Sequence, residues 1–412
     1  MSIIRDKSLA AAGLAKINWV KDFMPVLNHL EKRYAEEQPL KGRKVAVCVH
    51  LEAKTAYLGL VLRAAGAEVT LTGSNPLSTK DDVCAALDSL GIEVFAWHGA
   101  SSLEYHDHQV KALKFCPHII IDDGGDLVTL LHDEVPQYAQ NLLGGCEETT
   151  TGIHRLIARS SAGKLKFPMF AVNDAKCKYL FDNRHGTGQS VWDGIMSATN
   201  NMISGRTVVV AGYGHCGSGI AMRAKGLGAN VIITEVNRFK ALEALMDGFR
   251  VMPMTEAAVL GDIFVTATGC TKVITAEHFR LMKNNALLAN AGHFDVEVDR
   301  AALEAMCARK ENRKPFIDGY RLDNGKTLNL LAEGRLVNIV AGNGHPAEIM
   351  DLSFSIQFLS VLHIANKAVG LKPTLYKIPQ KIDNEVARIK LNAMGIKIDK
   401  QTPEQQEYAR SM

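Results

Sequence analysis

Aromatic residues are scarce, 6% of a 412-residue chain with three tryptophans, and neither sign of charge is in excess: 47 Lys and Arg stand against 44 Asp and Glu, for a net charge of +3. So close a balance gives no bulk electrostatic attraction for nucleic acid or an acidic membrane surface, and neither partner is expected. Long hydrophobic runs are lacking too. Apolar stretches are broken by Gly or polar residues before they reach the roughly 20 that a bilayer crossing needs, so no transmembrane helix is expected. The opening segment, MSIIRDKSLAAAGLAKINWV, has no basic stretch followed by an apolar core and a cleavage site, and does not read as a signal peptide. CxxC pairs are absent. The eight cysteines (Cys48, Cys84, Cys116, Cys146, Cys177, Cys216, Cys270 and Cys307) suit neither a disulfide framework nor a zinc finger, and are expected as reduced, mostly buried thiols of a cytoplasmic protein.

What is present is a chain 47% apolar, which at roughly 100–200 residues per domain implies two or three domains. Leu14, Ile17, Val20, Phe23, Leu27 and Leu30 recur at helical spacing, with Pro25 as a kink or break. Val45–Val49, Glu68–Thr72, Glu93–Trp97 and His118–Ile121 then read as buried strands about 24 residues apart, with helices Thr55–Ala65 and Thr79–Leu90 between them. That interval suits strand–helix–strand units in a parallel sheet, because a parallel return needs a crossover of about a dozen residues or more. After Met169–Val172 and a polar stretch comes a helix around Val191–Met202. A second alternation follows at Thr207–Ala211, Asn230–Thr234, Asp262–Thr266 and Ala286–Ala289, which puts a domain change near residue 183. Glu348–Val369 is an apolar helix, and the charged final segment is expected to dock rather than fold alone.

The strongest local signal is TVVVAGYGHCGSG at 207–219. Gly212, Gly214 and Gly217 form GxGxxG between an apolar strand and a helical pattern. The first glycine permits the tight turn, the second lets backbone approach a pyrophosphate, and the third allows close helix–strand packing, with phosphates over the helix N-terminus. The next strand ends in Glu235, 18 residues after Gly217, where a carboxylate binds ribose hydroxyls. Glu235 favours NAD; Arg238 leaves NADP as the alternative.

HDEVPQYAQNLLGGCEETTTGIHRL, KYLFDNRHGTGQSVWDGI and LLANAGHFDVEVD, with IIIDDGGDL at 119–127 and EGRLVNIVAGNGHP at 333–346, resemble S-adenosyl-L-homocysteine hydrolase over nearly the whole chain and in the same order. The resemblance implies reversible hydrolysis to adenosine and homocysteine around a tightly held NAD. Hydride leaves the ribose 3′-carbon, the ketone acidifies the 4′-hydrogen, homocysteine is eliminated, water adds and the hydride returns. Such a route needs a base at the 3′-hydroxyl, a second acid/base near the 4′ and 5′ carbons, and donors for a developing enolate. By resemblance Lys178 and Asp182 serve the 3′-hydroxyl, Asp123 and His50 the 4′/5′ end, Glu148 the ribose, and His293 lies by substrate and nicotinamide. A lysine base needs a lowered pKa. Read without the resemblance, Lys178 and Asp182 are a solvated i,i+4 pair, His293 a core or surface histidine, and Asp126 the N-cap of a helix. Ser78 and Thr79 match the segment holding the homocysteine end, or cap the helix near Asp81. For NAD the resemblance implies Thr149, Thr150, Thr151, Asn183, Gly212, Tyr213, Gly214, His215, Cys216, Gly217, Glu235, Thr268, Ala291, Gly292, His293, Asn338 and His345, so the cofactor is expected in a cleft between domains. Tyr105–His108 lacks a third ligand at workable spacing, and no metal is assigned.

The sequence departs from the family pattern at three places. The common form ends in an extension with a Lys and a Tyr that reach a neighbouring subunit's NAD site; this sequence ends at EQQEYARSM, so weaker cofactor retention is expected. Lys240 replaces a usual asparagine. Lys54 stands in HLEAKTA, beside Glu52 and Thr55, where many relatives place a carboxylate or amide facing the 6-amino group of adenine. An ammonium has only donors and suits the 6-keto oxygen of hypoxanthine, making S-inosyl-L-homocysteine or inosine an alternative substrate. Otherwise Lys54 points to solvent and adenine binds through backbone of Asn343 to His345. An ordinary NAD-dependent dehydrogenase and a non-catalytic NAD-binding regulator are the competing functions. The expected architecture is α/β: two doubly wound Rossmann-like domains, for substrate (1–182 completed by 346–375) and NAD (183–345), with a short C-terminal tail (376–412), in a homotetrameric enzyme of the methyl cycle.

Overall fold

The computed structural model describes residues 1–367 and 370–411. Apolar β-branched runs pair into two sheets. Along the chain the strands are β1 (Lys44–Cys48), β2 (Glu68–Thr72), β3 (Glu93–Phe95), β4 (Ile119–Asp122), β5 (Gly144–Glu147) and β6 (Met169–Ala171), then β7 (Thr207–Ala211), β8 (Asn230–Thr234), β9 (Arg250–Val251), β10 (Ile263–Thr266) and β11 (Leu287–Asn290), and finally β12 (Cys307–Lys314), β13 (Ile317–Leu322), β14 (Thr327–Leu331) and β15 (Leu375–Lys377). The first sheet runs β15-β6-β5-β4-β1-β2-β3, the second β12-β13-β14-β11-β10-β7-β8-β9. All pairings in the first sheet are parallel. In the second, β12 and β13 join antiparallel onto β14. Strand order reverses between β1 and β4 in one sheet and between β7 and β10 in the other, and such switch points open crevices at the carboxyl ends of the strands.

Pro25 does not kink one long helix. Ala10–Asp22 ends, and Pro25 is the first residue of a second helix, Pro25–Glu37, where its missing N–H costs nothing. The segment expected as a tail from 376 is part of the first sheet and core. Leu375–Lys377 pairs with β6, and helix Gln380–Ala393 buries Ile382, Val386 and Ile389 in the first hydrophobic core. The last helix, Pro403–Ser411, buries nothing.

The helix Ala347–Lys367 has 21 residues and contains an 18-residue window of mean hydropathy 1.2, which by length and composition alone could cross a membrane. Within the protein 72% of that window is buried, because the helix runs through the first core from Met350 to Ile364. Residues 368 and 369, expected as its end, lie outside the described residues. Its Asp351 is fully buried and accepts the otherwise orphaned N–H groups of Val26 (3.1 Å) and Leu27 (2.9 Å), while Lys390 of the Gln380–Ala393 helix pairs with it at 2.9 Å. One carboxylate therefore joins two C-terminal helices to one more than 300 residues earlier in the sequence. Asp351→Ala leaves two buried donors and one cation without their acceptor, and is expected to lower unfolding free energy by about 2 kcal/mol, read by urea denaturation; an unchanged midpoint would contradict this role.

Candidate active site

The crevices of the two sheets face each other. His50 follows β1, Asp123 follows β4 and Glu148 follows β5, while Ala291 and His293 follow β11. These residues line one cleft together with Glu52, Lys54, Thr55, Thr149, Thr150, Lys178, Asp182, Asn183, Cys216, Asn338 and His345.

Lys178 is the centre of its first wall. Its ammonium lies 3.0 Å from Asp182 Oδ1 and 3.5 Å from Glu148 Oε1, and donates to Asn183 Oδ1 at 2.8 Å. All four residues are buried, so the solvated ion pair is excluded. The i,i+4 spacing acts through a helix as expected, but one that passes into π geometry over Tyr179–Gly186. Each partner is braced. Ser353 donates to Asp182 Oδ2 at 2.7 Å, His345 Nδ1 lies 3.2 Å from Asp182 Oδ1, and Gln357 donates to Glu148 Oε2. Asn183 donates to Asn173 at 3.0 Å.

Burial alone raises the pKa of Asp182, but the charge of Lys178 and the contact with His345 prevail and hold it far below the carboxylate range. Glu148 has the weaker hold on the cation, and burial pushes it up to about 7. The expected depression of Lys178 is not found. Burial lowers its proton affinity, yet Asp182 and Glu148 more than compensate, and it is held above the ordinary lysine value.

The opposite wall is His50, Asp123 and His293. Asp123 accepts from Ser74 Oγ at 2.9 Å, with His50 Nε2 at 3.6 Å and His293 Nδ1 at 3.9 Å. Ser78 Oγ meets His50 Nδ1 at 2.7 Å. His293 thus comes from the second sheet to meet the first. Gly124 makes room for it: φ is +105° there, and a Cβ would stand 2.4 Å from His293 Nε2. The ligand atoms of His50, Asp123 and His293 lie within 4.8 Å of one another, a spacing a metal ion could also use, which the sequence reading did not consider. Behind this wall the paired strand ends Asp122 and Glu147 are fully buried; burial raises Asp122 to about 7 and Glu147 well above its usual range. Glu147 Oε1 accepts from Gly124 N and Thr149 N, tying the DDGGD turn to the threonine segment.

The glycine loop joins β7 to the helix His215–Gly226. A Cβ on Gly217 would stand 2.0 Å from the Gly212 carbonyl, whereas Gly214 faces open space where a ligand can approach backbone. Glu235, at the end of β8, accepts from Tyr213 N at 2.7 Å. Asn338 donates to Ser190 while its buried Oδ1 has no partner among the described residues. These features fit a dinucleotide running from Glu235 over the loop into the cleft. The ring of Tyr213 is buried and its hydroxyl donates to Asp247, so its side chain is turned away from the loop's open face. The His215 ring lies tilted against that of Tyr179, Thr268 and Gly292 are held around buried Glu297, and Thr151 lies in the first turn of its helix.

Several local expectations are corrected. Ser78 and Thr79 do not cap the Asp81 helix; both hydroxyls bond the Asn75 carbonyl. Asp126 is the first residue of its helix rather than the cap, and takes hydrogen bonds from Tyr105 and Arg155. Lys54 does not point to solvent: it is buried, 2.8 Å from Glu52 Oε2, and donates to the Asn343 carbonyl at 3.2 Å. Ser353, Gln357, Ser74 and Glu297 were missed. For Ser353 and Gln357 a signal existed, since they are polar residues four apart inside an apolar helix.

A glycine loop aimed into a cleft whose far wall carries buried acid–base groups belongs to an enzyme that works on a small molecule with a bound dinucleotide. Comparison with known proteins narrows this: residues 183–344 match the NAD binding domain of S-adenosyl-L-homocysteine hydrolase, and residues 2–142 match S-adenosyl-L-homocysteine hydrolase. The chain belongs to that family, and NAD is its cofactor. It is 54% identical over 409 residues to an S-inosyl-L-homocysteine hydrolase of Methanopyrus kandleri, covering 99% of this chain and 96% of that one. An adenosylhomocysteinase of Pyrococcus abyssi is also 54% identical over 408 residues (99% and 97%), and one of Thermotoga maritima 53% over 399 (97% and 99%).

Burial holds His50 down at about 4, against 6.5 for a free imidazole, with Asp123 opposing only in part. The unfolded chain therefore takes up this proton first as pH falls. The stability linked to His50 is full above pH 6.5 and is lost between 6.5 and 4. Urea denaturation at pH 7 and 4.5 is expected to show His50→Gln losing about 2 kcal/mol less than wild type across that interval; equal losses would contradict a buried neutral imidazole.

Proposed function

We propose that the protein catalyses the reversible hydrolysis of S-adenosyl-L-homocysteine, and/or its inosyl counterpart, to the nucleoside and L-homocysteine. The observation that carries this reading is the buried Lys178–Asp182–Glu148 cluster facing His50, Asp123 and His293 across one cleft. The glycine loop, Glu235, the threonine segment and Asn338 would hold NAD, which when bound would supply a two-electron acceptor for hydride from the ribose 3′-carbon and its return at the end.

In this reading the 3′-hydroxyl enters between Lys178 Nζ and Asp182. A neutral hydroxyl there weakens the ion pair that keeps the lysine protonated; Nζ gives its extra proton to Glu148, 3.5 Å away and held near 7, and the neutral amine then receives the hydroxyl proton. Glu148, close to neutrality, holds the ribose hydroxyls. On the other wall Asp123 or His50 removes the 4′-proton made acidic by the adjacent ketone. The C5′–S bond breaks, homocysteine leaves with a proton, and water adds to C5′ with a proton returning to C4′. His50, neutral at pH 7, is suited to pass protons between sulfur and water. The pairing of a substrate domain (1–182 with the return segment) and an NAD domain (183–345) across the cleft excludes water from the ketone. A cytoplasmic homotetramer working in the methyl cycle completes the proposal, supported by the family and by eight free cysteines.

A second reading, preference for the inosyl substrate, turns on the Lys54–Glu52 pair lining the cleft. The pair offers one donor and one acceptor. Hypoxanthine matches it with O6 on Lys54 and N1–H on Glu52; adenine matches it with the pairing exchanged, N1 on Lys54 and the amino group on Glu52. Relatives bearing either name are equally similar to this chain.

Lys178→Met is expected to lower kcat at least 100-fold in the synthetic direction with adenosine or inosine and homocysteine; wild-type turnover would overturn the proposal. On the inosyl reading, Lys54→Gln is expected to move the inosine-to-adenosine ratio of kcat/KM toward adenosine by about one to two decades. A ratio unmoved by that change, or a wild-type preference for adenosine above 100-fold, would remove the inosyl reading.

A further inference from the structure

The helix that carries Lys178 has no cap of its own. It begins at Lys176 after Ala175, whose side chain can accept no hydrogen bond, and after Lys178 passes into the π-helical stretch. Its first N–H groups are satisfied from more than 200 positions away. Asp383, on the helix Gln380–Ala393, accepts from Lys176 N through Oδ2 at 2.6 Å and from Cys177 N through Oδ1 at 2.7 Å. The Cys177 thiol donates to the Asp383 carbonyl at 3.4 Å.

Asp383 is 9% exposed and shares a buried face with Ile382, Val386 and Ile389. If docking this helix were its only task, an apolar residue would complete that face at lower cost than a carboxylate. Unlike Asp351, which has Lys390, it makes no ion pair among the described residues. Its compensation is the two amides that precede Lys178, so its charge and its two oxygens are spent on the start of that helix.

We propose that Asp383 is a positioning residue for Lys178: it fixes the first turn of the helix, and with it the contacts of Nζ with Asp182 and Asn183. The proposal rests on Lys178 being the acid–base group of the hydrolase reading. Lys178 directly follows the capped Cys177, so a shift at the cap is carried directly to Nζ, and a misplacement of about 1 Å at a reacting group is of the order of 100-fold in rate.

The test compares Asp383→Asn with Val386→Ala, which weakens the same helix without touching the amides. Three readouts are taken on the NAD-loaded full chain: melting temperature, kcat and KM across pH, and the pH midpoint of Lys178 acylation by acetic anhydride, followed by mass spectrometry. Asp383→Asn is expected to lower kcat about 10- to 100-fold with KM within about threefold, and to move the Lys178 midpoint downward as its hold on Asp182 loosens. Val386→Ala is expected to lose melting temperature while keeping wild-type kcat and midpoint. If Asp383→Asn behaves like Val386→Ala in all three, Asp383 is structural only and the proposal is overturned. Should Asp383→Asn not fold, Asp383→Glu carries the same comparison: reduced kcat at unchanged KM supports the role, and wild-type kcat with a wild-type midpoint overturns it. A wild type that folds but lacks hydrolase turnover refutes the functional reading alone, because the acylation midpoint still decides whether Asp383 places Lys178.

Discussion

A buried cation held between two carboxylates is the constraint around which the rest of this structure is organised. Removing Lys178, Asp182 and Glu148 from water costs several kcal/mol for each ionised group, and only close pairing with further hydrogen bonds offsets it. The protein lowers that cost by leaving one of the three close to neutral. Asp182 is held ionised by Lys178, whereas Glu148, farther from the cation, sits near 7. The cluster therefore carries no more than a partial net charge at neutral pH, and Glu148 is its one member poised to gain or lose a proton there.

The supports of that cluster come from the return of the chain after the dinucleotide domain. Ser353 and Gln357 lie four residues apart on the helix Ala347–Lys367 and reach Asp182 and Glu148 respectively, and Asp383 reaches the start of the Lys178 segment. Asp351 of the same apolar helix ties it to Pro25–Glu37 and to Lys390. The C-terminal elements thus do two things at once: they fill the first core with leucine, isoleucine and phenylalanine, and they carry the few polar groups that the buried charges need.

Strands with uninterrupted β-branched runs, such as Thr207–Ala211 and Asn230–Thr234, were legible in the sequence to the residue, because burial on both faces leaves no other composition. β5 was not, since GGCE carries little apolar bulk, nor was β12, whose CARKENRK is exposed along an antiparallel edge where packing does not select for hydrophobic residues. Within the site, the loop glycines and Glu235 follow from spacing, while Lys178, Asp182, Asp123 and His50 stood out only through resemblance to a family. The state of Lys178 could not be read from sequence at all. Burial and ion pairing act on it in opposite directions, and their balance depends on Glu148 and Asp182 arriving from different elements within a few ångströms.

The central claim is that a hydride leaves a nucleoside's 3′-carbon and returns to it while the neighbouring 4′-hydrogen is exchanged with solvent. Proton NMR of the nucleoside recovered after incubation with the NAD-loaded protein in deuterium oxide tests this most directly. The account predicts deuterium at C4′ and retained protium at C3′; a nucleoside with protium at both positions after many turnovers of thioether cleavage, or with solvent deuterium at C3′, would contradict it.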